Sequence, residues 1–287
     1  MFIKYPSIKC MKQALNLRDV YNASEEEWVW SEKIHGANFQ IILEGGEVSF
    51  ASRNRLLDAE AEDFFDFSHL REGLELGIRA LAEDLGVSVL HVYGELYGGN
   101  IQTEILYGAD HKFRVFDVLM NGKEWLPYRS FGPVEDHFDI VPMEFGILTD
   151  LVGRSVEFNS QFTDAMAEGY VIKRVGKSGL LTLKNKAADF VEKHTGKIIE
   201  NKTYCVKHRP TAEEECPGIA GYVLNKNRIA AWFSKEGPKK EENIKRDARA
   251  IIEDAVKDYM EDNPTLEVQC VKPAAFRLFY DLVNMLE

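Results

Sequence analysis

Several features that would place a chain in a particular class are missing from this sequence. No uninterrupted apolar run approaches the length of a membrane span, and Met1 to Cys10 lack the apolar core of a signal peptide. The four cysteines are dispersed and form no C-x-x-C pair. There is no internal repeat and no low-complexity segment. We therefore expect no membrane partner, and reduced thiols in the cytoplasm.

Two common signatures of ligand binding are also missing. The phosphate-binding motif G-x-x-x-x-G-K-[ST] occurs nowhere in the chain, so any use of ATP must proceed without a P-loop. The residues His194, Cys205, His208 and Cys216 could be imagined as a zinc site, but their spacing matches no standard zinc finger. We do not predict zinc binding there.

The net charge of −12 argues at first against a polyanionic partner. The charge is unevenly distributed, because the stretch from Lys173 to Arg209 contains ten Lys or Arg and only three Asp or Glu. A local basic patch is the electrostatic footprint of a nucleic-acid partner, whatever the total charge. The alternative is a solvated linker face.

Strand patterns dominate the first two thirds of the chain. Residues 39–43 and 47–52 flank Glu44-Gly45-Gly46, a hairpin signal, and further strands are predicted at 88–93, 113–120, 169–174 and 180–186. Between them, an apolar stripe from Leu70 to Leu85 predicts a helix capped by Asp66 or Ser68 and ended by Gly86. Because strands and helices do not alternate regularly, we predict an α+β fold with largely antiparallel sheets.

The last third changes character. Apolar stripes from Ile244 to Met260 and from Phe276 to Leu286 predict two helices that pack through one face. Periodicity is lost between about Thr195 and Pro217. We predict a larger domain at residues 1–205 and a small helical domain at residues 211–287.

The run Glu32-Lys33-Ile34-His35-Gly36 is a candidate for nucleophilic chemistry. A lysine beside a glycine at a strand boundary suits attack of an amine on a nucleotide phosphate, provided that burial or nearby cations favour the neutral amine. Alone, the motif fits a surface lysine before a turn equally well.

Other residues could surround Lys33. Arg53 ends the hairpin strand that follows the motif and could hold phosphate or ribose. Glu95 lies among glycines at a strand end, where a ligand can approach the backbone. Phe116 lies on an alternating strand and could stack on a base, whereas alternation directs its neighbour Asp117 to the other face.

The last two strands carry further candidates. Glu168 precedes an apolar strand and could hold a divalent cation. Lys184 and Lys186 are two residues apart and share a strand face, which favours an anion such as a triphosphate beside them. The alternative for the lysine pair is an edge strand protected against aggregation.

Taken in order, these motifs resemble the covalent nucleotidyltransferases, and most of all the RNA ligase 2 family of double-strand RNA repair ligases. The resemblance rests on Glu32 to Phe39, Arg53, Glu95, Val115-Phe116-Asp117, Glu168 to Lys173 and Lys184-Asn185-Lys186, together with the Met1 to Tyr5 opening and the helical tail. Ala37 departs from the family, where a threonine is expected.

The resemblance implies a nucleotidyltransferase domain with a small C-terminal domain, and a ligase that uses ATP with Mg²⁺ or Mn²⁺. Lys33 would carry AMP as a phosphoramide, and His35 and Asn38 would serve in the steps on RNA. The implied catalytic residues are Lys33, His35, Lys184 and Lys186. The implied nucleotide-binding residues are Glu32, Asn38, Arg53, Glu95, Phe116, Glu168, Lys173, Lys184 and Lys186, with Glu168 also acting with the metal.

The implied partner is RNA with adjacent 3′-OH and 5′-phosphate ends, expected at nicks in a duplex and bound by a monomer. Phage origin, with action in a host cytoplasm, is consistent with this expectation. The alternatives are a DNA ligase, a GTP-using capping enzyme, or a non-catalytic RNA-binding protein on the same fold. His35, where DNA ligases and capping enzymes carry an acidic residue, and the helical tail, where they carry an OB-fold, argue against the first two.

Overall fold

The computed structural model describes residues 1–11, 20, 26–57, 64–176, 179–190, 224, 226–237, 243–262, 275–276, 278–280 and 283. The strands are β1 (Lys9–Cys10), β2 (Glu27–Glu32), β3 (Ala37–Glu44), β4 (Glu47–Ser52), β5 (Leu90–Tyr97), β6 (Lys112–Met120), β7 (Glu124–Trp125), β8 (Glu144–Ile147), β9 (Gly169–Gly176) and β10 (Gly179–Lys186). The helices are α1 (Ser68–Asp84), α2 (Gly132–His137), α3 (Leu148–Val152), α4 (Lys226–Glu236) and α5 (Ile244–Asp262).

The described strands form two five-stranded sheets. The first sheet has the order β1-β10-β9-β2-β8, and the second has the order β4-β3-β5-β6-β7. All pairings are antiparallel except the one between β1 and β10. The predicted α+β fold with largely antiparallel sheets is therefore confirmed.

The β3–β4 hairpin forms as its sequence predicts. Gly45 and Gly46 have φ of +62° and +82°, the left-handed conformation that a two-residue turn requires at both central positions. Helix α1 follows, with Leu74, Ile78 and Leu81 buried. Its N-cap is Phe67 without a side-chain hydrogen bond, so the prediction of an Asp66 or Ser68 cap was wrong; the Ser68 hydroxyl donates to Asp66 instead.

Each sheet buries an apolar face. One core lies between the second sheet and α1, where the ring of Phe39 packs with those of Phe64 and Phe67. The other lies on the outer face of the first sheet around the fully buried Trp28 and Tyr170. Neighbouring residues on a strand point to opposite faces, so the residues next to those of the Trp28 and Tyr170 core point to the other face of the first sheet, here called the inner face. The inner face therefore carries polar groups.

A register shift between Tyr93 and Gly94 interrupts the β5–β6 ladder. The shift gives β6 one extra residue, so Asp117 pairs with Tyr93 although Val115 pairs with Gly94. As a result both Phe116 and Asp117 contact Tyr5. The prediction that Asp117 points away from Phe116 was wrong, because a bulge breaks the alternation of side chains.

The chain divides into two compact units, Met1–Asp189 with Ser234–Pro238 and Phe190–Phe233 with Lys239–Glu287. The predicted boundary at residues 205–211 and the discounted His194, Cys205, His208 and Cys216 group lie outside the described residues. Helix α5 buries Ala248, Ile251, Ile252, Ala255 and Val256, the stripe predicted for it. Of the last predicted helix, 275–276, 278–280 and 283 are helical.

Candidate active site

Lys33 follows directly on strand β2 and is fixed at its backbone. Its amide donates to the carbonyl of Gly169 at 2.8 Å, which continues the β2–β9 pairing by one residue. The side chain is 19% exposed, and its Nζ lies 2.7 Å from Oε2 of Glu168. The amine is therefore oriented by a defined partner while it still reaches solvent.

Gly36 has a steric reason to be glycine. A Cβ at this position would lie 2.4 Å from the carbonyl oxygen of Leu96 and 2.9 Å from Cγ of Glu95. No real Cβ atom approaches a backbone oxygen so closely, so any side chain would push the motif away from β5. The glycine thus keeps Lys33 and His35 close to the strand that carries Glu95.

Glu168 is the centre of the charge cluster and is 1% exposed. Its Oε2 accepts from Lys33 and lies 3.2 Å from Nδ1 of His35, while its Oε1 lies 2.8 Å from Nζ of Lys186. Burial alone would raise the pKa of Glu168, but Lys186, Lys33 and His35 together hold it well below its usual value. The carboxylate is therefore ionised throughout the physiological range.

His35 lies between two carboxylates. Nδ1 faces Glu168 and Nε2 lies 3.2 Å from Oε2 of Glu104. Burial lowers the pKa of His35, but the two carboxylates outweigh burial, and the net pKa is raised. Its backbone amide donates to the hydroxyl of Tyr107 at 3.1 Å.

Glu95 and Asn38 face each other on neighbouring strands of the second sheet, as register partners. Burial raises the pKa of Glu95 to about 7, although the cations of Lys33, His35 and Arg53 oppose the shift. The charge of Arg53 also opposes the rise in the pKa of Tyr5, so the guanidinium lies near both groups. Arg53, Asn38 and Glu95 therefore border the cluster around Lys33.

Phe116 is half-buried and lies over a buried polar network. Its ring is 5.1 Å from that of Tyr5, and Nζ of Lys173 lies 5.3 Å from the ring centroid. Asp117 accepts from the hydroxyls of Tyr5 and Tyr128 at 2.5 and 2.6 Å and lies 3.3 Å from Nζ of Lys173. Tyr5 and Lys173 therefore pack against one side of the Phe116 ring and hold it in one orientation.

Lys184 and Lys186 share a face of β10, as predicted. Lys184 pairs with Val171 and Lys186 with Gly169, so both side chains lie on the inner face of the first sheet. The anion beside Lys186 is the carboxylate of Glu168. Lys184 is half-buried two residues earlier.

The structure does not bring Glu32 or Lys173 to the cluster around Lys33. Glu32 pairs with Tyr170 on the opposite face of the sheet, where its carboxylate accepts from Oγ of Ser160 and the amide of Gln161, both at 2.6 Å. Lys173 is 2% exposed and donates to the carbonyl of Phe116 at 2.6 Å. Glu32 therefore holds the loop at Ser160, and Lys173 holds the strand that carries Phe116.

The predicted basic stretch is partly internal. Lys173 is buried, Lys186 is 13% exposed and paired to Glu168, and Arg174 pairs with Glu26. In the described part of the stretch, the positive charge therefore belongs largely to ion pairs. The remainder, Lys177 and the stretch from residue 191 onward, lies outside the described residues.

Sequence reasoning missed the loop between β5 and β6. Glu104 and Tyr107 contact His35, and Nε2 of Gln102 donates to the carbonyl of Gly36 at 3.0 Å. The one available signal was the set of glycines at 98, 99 and 108, all of which have positive φ. The glycines indicate a tight loop but not its partner.

The described side chains alone do not form a complete metal-binding site. Within the residues that the structure describes, no group of three or more His, Cys, Asp or Glu is arranged to hold a metal ion. Both oxygens of Glu168 already contact cations of the protein. A divalent cation would fit this donor set only if phosphate oxygens and water supplied most of its ligands, which is the usual way that Mg²⁺ binds with nucleotides.

Among the residues that the structure describes, no helix is long and apolar enough to cross a membrane.

Comparison with known proteins places this geometry in context. The family model described as RNA ligase matches residues 26–193, which is more than half of the chain and includes every residue placed in or beside this site except Tyr5. Structures of an RNA ligase from Naegleria gruberi are similar: a lysine-to-methionine variant with AMP and Mn (TM-score 0.52) and an arginine-to-alanine variant with ATP and Mn (TM-score 0.53). Both are 16% identical to this chain and cover 67% of it and 58% of their own length.

A curated relative is viral. Protein Early 65 kDa of Autographa californica nuclear polyhedrosis virus is 23% identical over 180 residues, which are 59% of this chain and 31% of the viral protein. The chain therefore spans about a third of that relative and less than two thirds of the Naegleria ligase.

Proposed function

Because the chain belongs to the RNA ligase family, we propose that it joins the 3′-OH and 5′-phosphate ends of RNA with ATP, through AMP bound covalently to Lys33. The observation that carries this proposal is the position of Lys33. Its amine is partly exposed and is held 2.7 Å from a buried carboxylate that also pairs with Lys186.

The first step is attack of Nζ of Lys33 on the α-phosphorus of ATP. The ammonium group paired with Glu168 first releases one proton, because only the neutral amine has the lone pair that attacks. The new N–P bond then replaces the bond from the α-phosphorus to pyrophosphate, and the nitrogen releases a second proton. The low pKa of Glu168 makes this carboxylate a poor proton acceptor, so both protons pass to solvent, which Lys33 reaches. Glu168 instead orients the amine for in-line attack.

The remaining steps take place on RNA. An oxygen of the RNA 5′-phosphate attacks the lysyl-bound phosphorus and releases Lys33, which gives an RNA end capped by AMP. The neighbouring 3′-OH then attacks the RNA phosphorus and AMP leaves. His35 and Asn38 would serve in these steps. Lys184 and Lys186 would contact phosphate oxygens, since charge neutralisation is the main contribution of a protein to phosphoryl transfer.

The nucleotide would bind between the two sheets. Phe116 would stack on adenine, supported from behind by Tyr5 and Lys173. Arg53 and Glu95 would contact the ribose or phosphate. A divalent cation bound with the triphosphate would neutralise phosphate charge, and Glu168 is the carboxylate that would act with it. Glu32, whose carboxylate faces away, would act through the loop at Ser160.

We further propose that the substrate is nicked duplex RNA, bound by a monomer in the cytoplasm. A duplex pre-positions both ends, and contacts to the 2′-OH would distinguish RNA from DNA. Residues 1–205 would form the nucleotidyltransferase domain, and residues 211–287 a small helical domain.

A sealing assay tests the substrate. Purified protein with Mg²⁺ and either ATP or GTP would be given nicked RNA duplex, nicked DNA or single-stranded RNA. We expect ATP-dependent sealing of the nicked RNA duplex. Equal sealing of nicked DNA would indicate a DNA ligase, and covalent labelling by GTP a capping enzyme. RNA binding without sealing would indicate a non-catalytic protein.

A further inference from the structure

The loop from Gly98 to Asp110 folds back onto the nucleophile motif. Gly98 and Gly108 have φ of +84° and +108°, and the amide of Gly99 donates to the carbonyl of Gly108 at 3.0 Å, which closes the loop. Tyr107 accepts from the amide of His35, and Gln102 donates to the carbonyl of Gly36. The backbone of the motif is thus fixed by two loop residues before any contact to the imidazole ring is counted.

Glu104 makes a different kind of contact, because it reaches the ring itself. Its Oε2 lies 3.2 Å from Nε2 of His35, and the other ring nitrogen lies 3.2 Å from Oε2 of Glu168. Ionised carboxylates only accept hydrogen bonds, so the two together fix the plane of the ring and direct both N–H groups. Without Glu104, the Nε2 side of the ring would lose this carboxylate, and the orientation of the ring would be less restrained.

The position of Glu104 allows this role without a large structural one. Its side chain is 19% exposed, whereas that of Glu168 is 1% exposed. In Glu104→Ala, Tyr107 and Gln102 still hold the backbone of the motif. The change therefore acts on the imidazole of His35 more than on the backbone that carries it.

We propose that Glu104 is a positioning residue for His35 in the steps on RNA. The inference rests on the proposed function, since it assigns His35 to those steps. Lys33 is oriented by Glu168, so we expect formation of lysyl-AMP to depend less on the orientation of the imidazole than the steps on RNA do. Loss of Glu104 should slow the steps on RNA while lysyl-AMP formation continues.

A kinetic test measures lysyl-AMP formation separately from the steps on RNA. Single-turnover rates would be measured for lysyl-AMP formation, for transfer of AMP from Lys33 to nicked RNA, and for sealing of pre-adenylylated nicks. In Glu104→Ala we expect a loss of about 10-fold or more in at least one RNA step, the usual effect of removing such a partner. Lysyl-AMP formation should change less than about 2-fold, and Glu104→Gln, whose amide oxygen can still accept, should recover part of the loss. Thr103→Ala, an exposed neighbour, is the matched control.

A spectroscopic test stands apart from activity. Selective ¹⁵N labelling of histidine should show an exchange-protected Nε2–H signal of His35 in the wild-type protein that is lost in Glu104→Ala. The proposal is overturned if that signal persists, if all steps slow equally, or if the RNA steps are unchanged. A wild-type protein that neither binds AMP covalently nor seals RNA would contradict the proposed function instead, and the His35 signal would still decide whether Glu104 orients the ring.

Discussion

The carboxylate of Glu168 lies 2.7 Å from the amine of Lys33, although 135 positions separate the two residues along the chain. The same carboxylate pairs with Lys186 and faces His35, so one buried negative charge contacts three basic side chains. Removing that charge would break the ion pairs of Lys33 and Lys186 with Glu168. Phosphates of a nucleotide could take up the same role, which links the stability of the cluster to its ligand.

Glu168→Gln should destabilise the protein clearly. The amide keeps the shape of the side chain but removes the charge that Lys33 and Lys186 require, and the loss of one partner from a buried ion pair costs about 3 kcal/mol. Glu144→Gln, which disrupts an exposed pair with Arg154, should cost less than about 1 kcal/mol. Urea unfolding followed by tryptophan fluorescence would measure both. Equal small losses would show that the cluster does not depend on Glu168.

Gly36→Ala should impair both folding and activity. Its Cβ would meet the carbonyl oxygen of Leu96 at 2.4 Å, and the required backbone shift should cost about 1–3 kcal/mol and displace Lys33. Gly73→Ala is the matched control, because the new Cβ meets nothing within 4 Å in helix α1, where alanine is favoured by up to about 1 kcal/mol. Thermal unfolding and lysyl-AMP formation would be compared. Similar behaviour of the two variants would contradict the close approach at Gly36.

Glu95 should make stability depend on pH in a defined direction. Its pKa is about 7 in the folded protein against an ordinary value of 4.5, so the folded state binds more protons between these values. The contribution of Glu95 to the free energy of unfolding should therefore fall as the pH rises from about 4.5 to 7, by at most about 1.4 kcal/mol per pH unit, and level off above 7. Glu95→Gln lacks this dependence. A difference between wild type and variant that is constant from pH 4.5 to 8 would contradict it.

Lys173 and Asp117 should behave as a coupled buried pair. Lys173→Met leaves Asp117 with two tyrosine hydroxyls but no cation, and should cost about 3–5 kcal/mol. Because Asp117→Asn removes the charge that Lys173 balances, the double variant should be less unstable than the sum of the single variants. A double-mutant cycle from denaturant unfolding would measure the coupling. Additive effects would contradict the coupling of Lys173 and Asp117.

Local patterns in the sequence predicted most strands of the nucleotidyltransferase part. The β3–β4 hairpin, β5, β6, β9 and β10 follow from alternation and from glycine turns, which are local properties. Strand β2 was not among the predicted strands, so the face on which Glu32 lies could not be worked out from alternation. Neighbours on a strand point to opposite faces, so Glu32 could not share the face of Lys33 once β2 extended to it.

The site could be predicted in composition but not in connectivity. Lys33, Glu168 and Lys186 were found through the order of motifs that resemble the RNA ligase 2 family, yet nothing in their spacing states that Glu168 pairs with both lysines. The contact of Glu104 with His35 depends on how a glycine-rich loop closes. Whether Asp117 points to the same face of the sheet as Phe116 depends on a single bulge, which an alternating sequence pattern does not reveal.

Covalent capture of AMP tests the role of Lys33 most directly. The protein would be incubated with ATP labelled at the α- or the γ-phosphate and a divalent cation, then denatured and examined for bound label. We predict label from the α-phosphate only, released by acid as expected for a phosphoramide, absent from Lys33→Ala and present in Lys123→Ala, an exposed control lysine. No label on the wild-type protein, or label that persists in Lys33→Ala, would contradict a lysyl-AMP intermediate at Lys33.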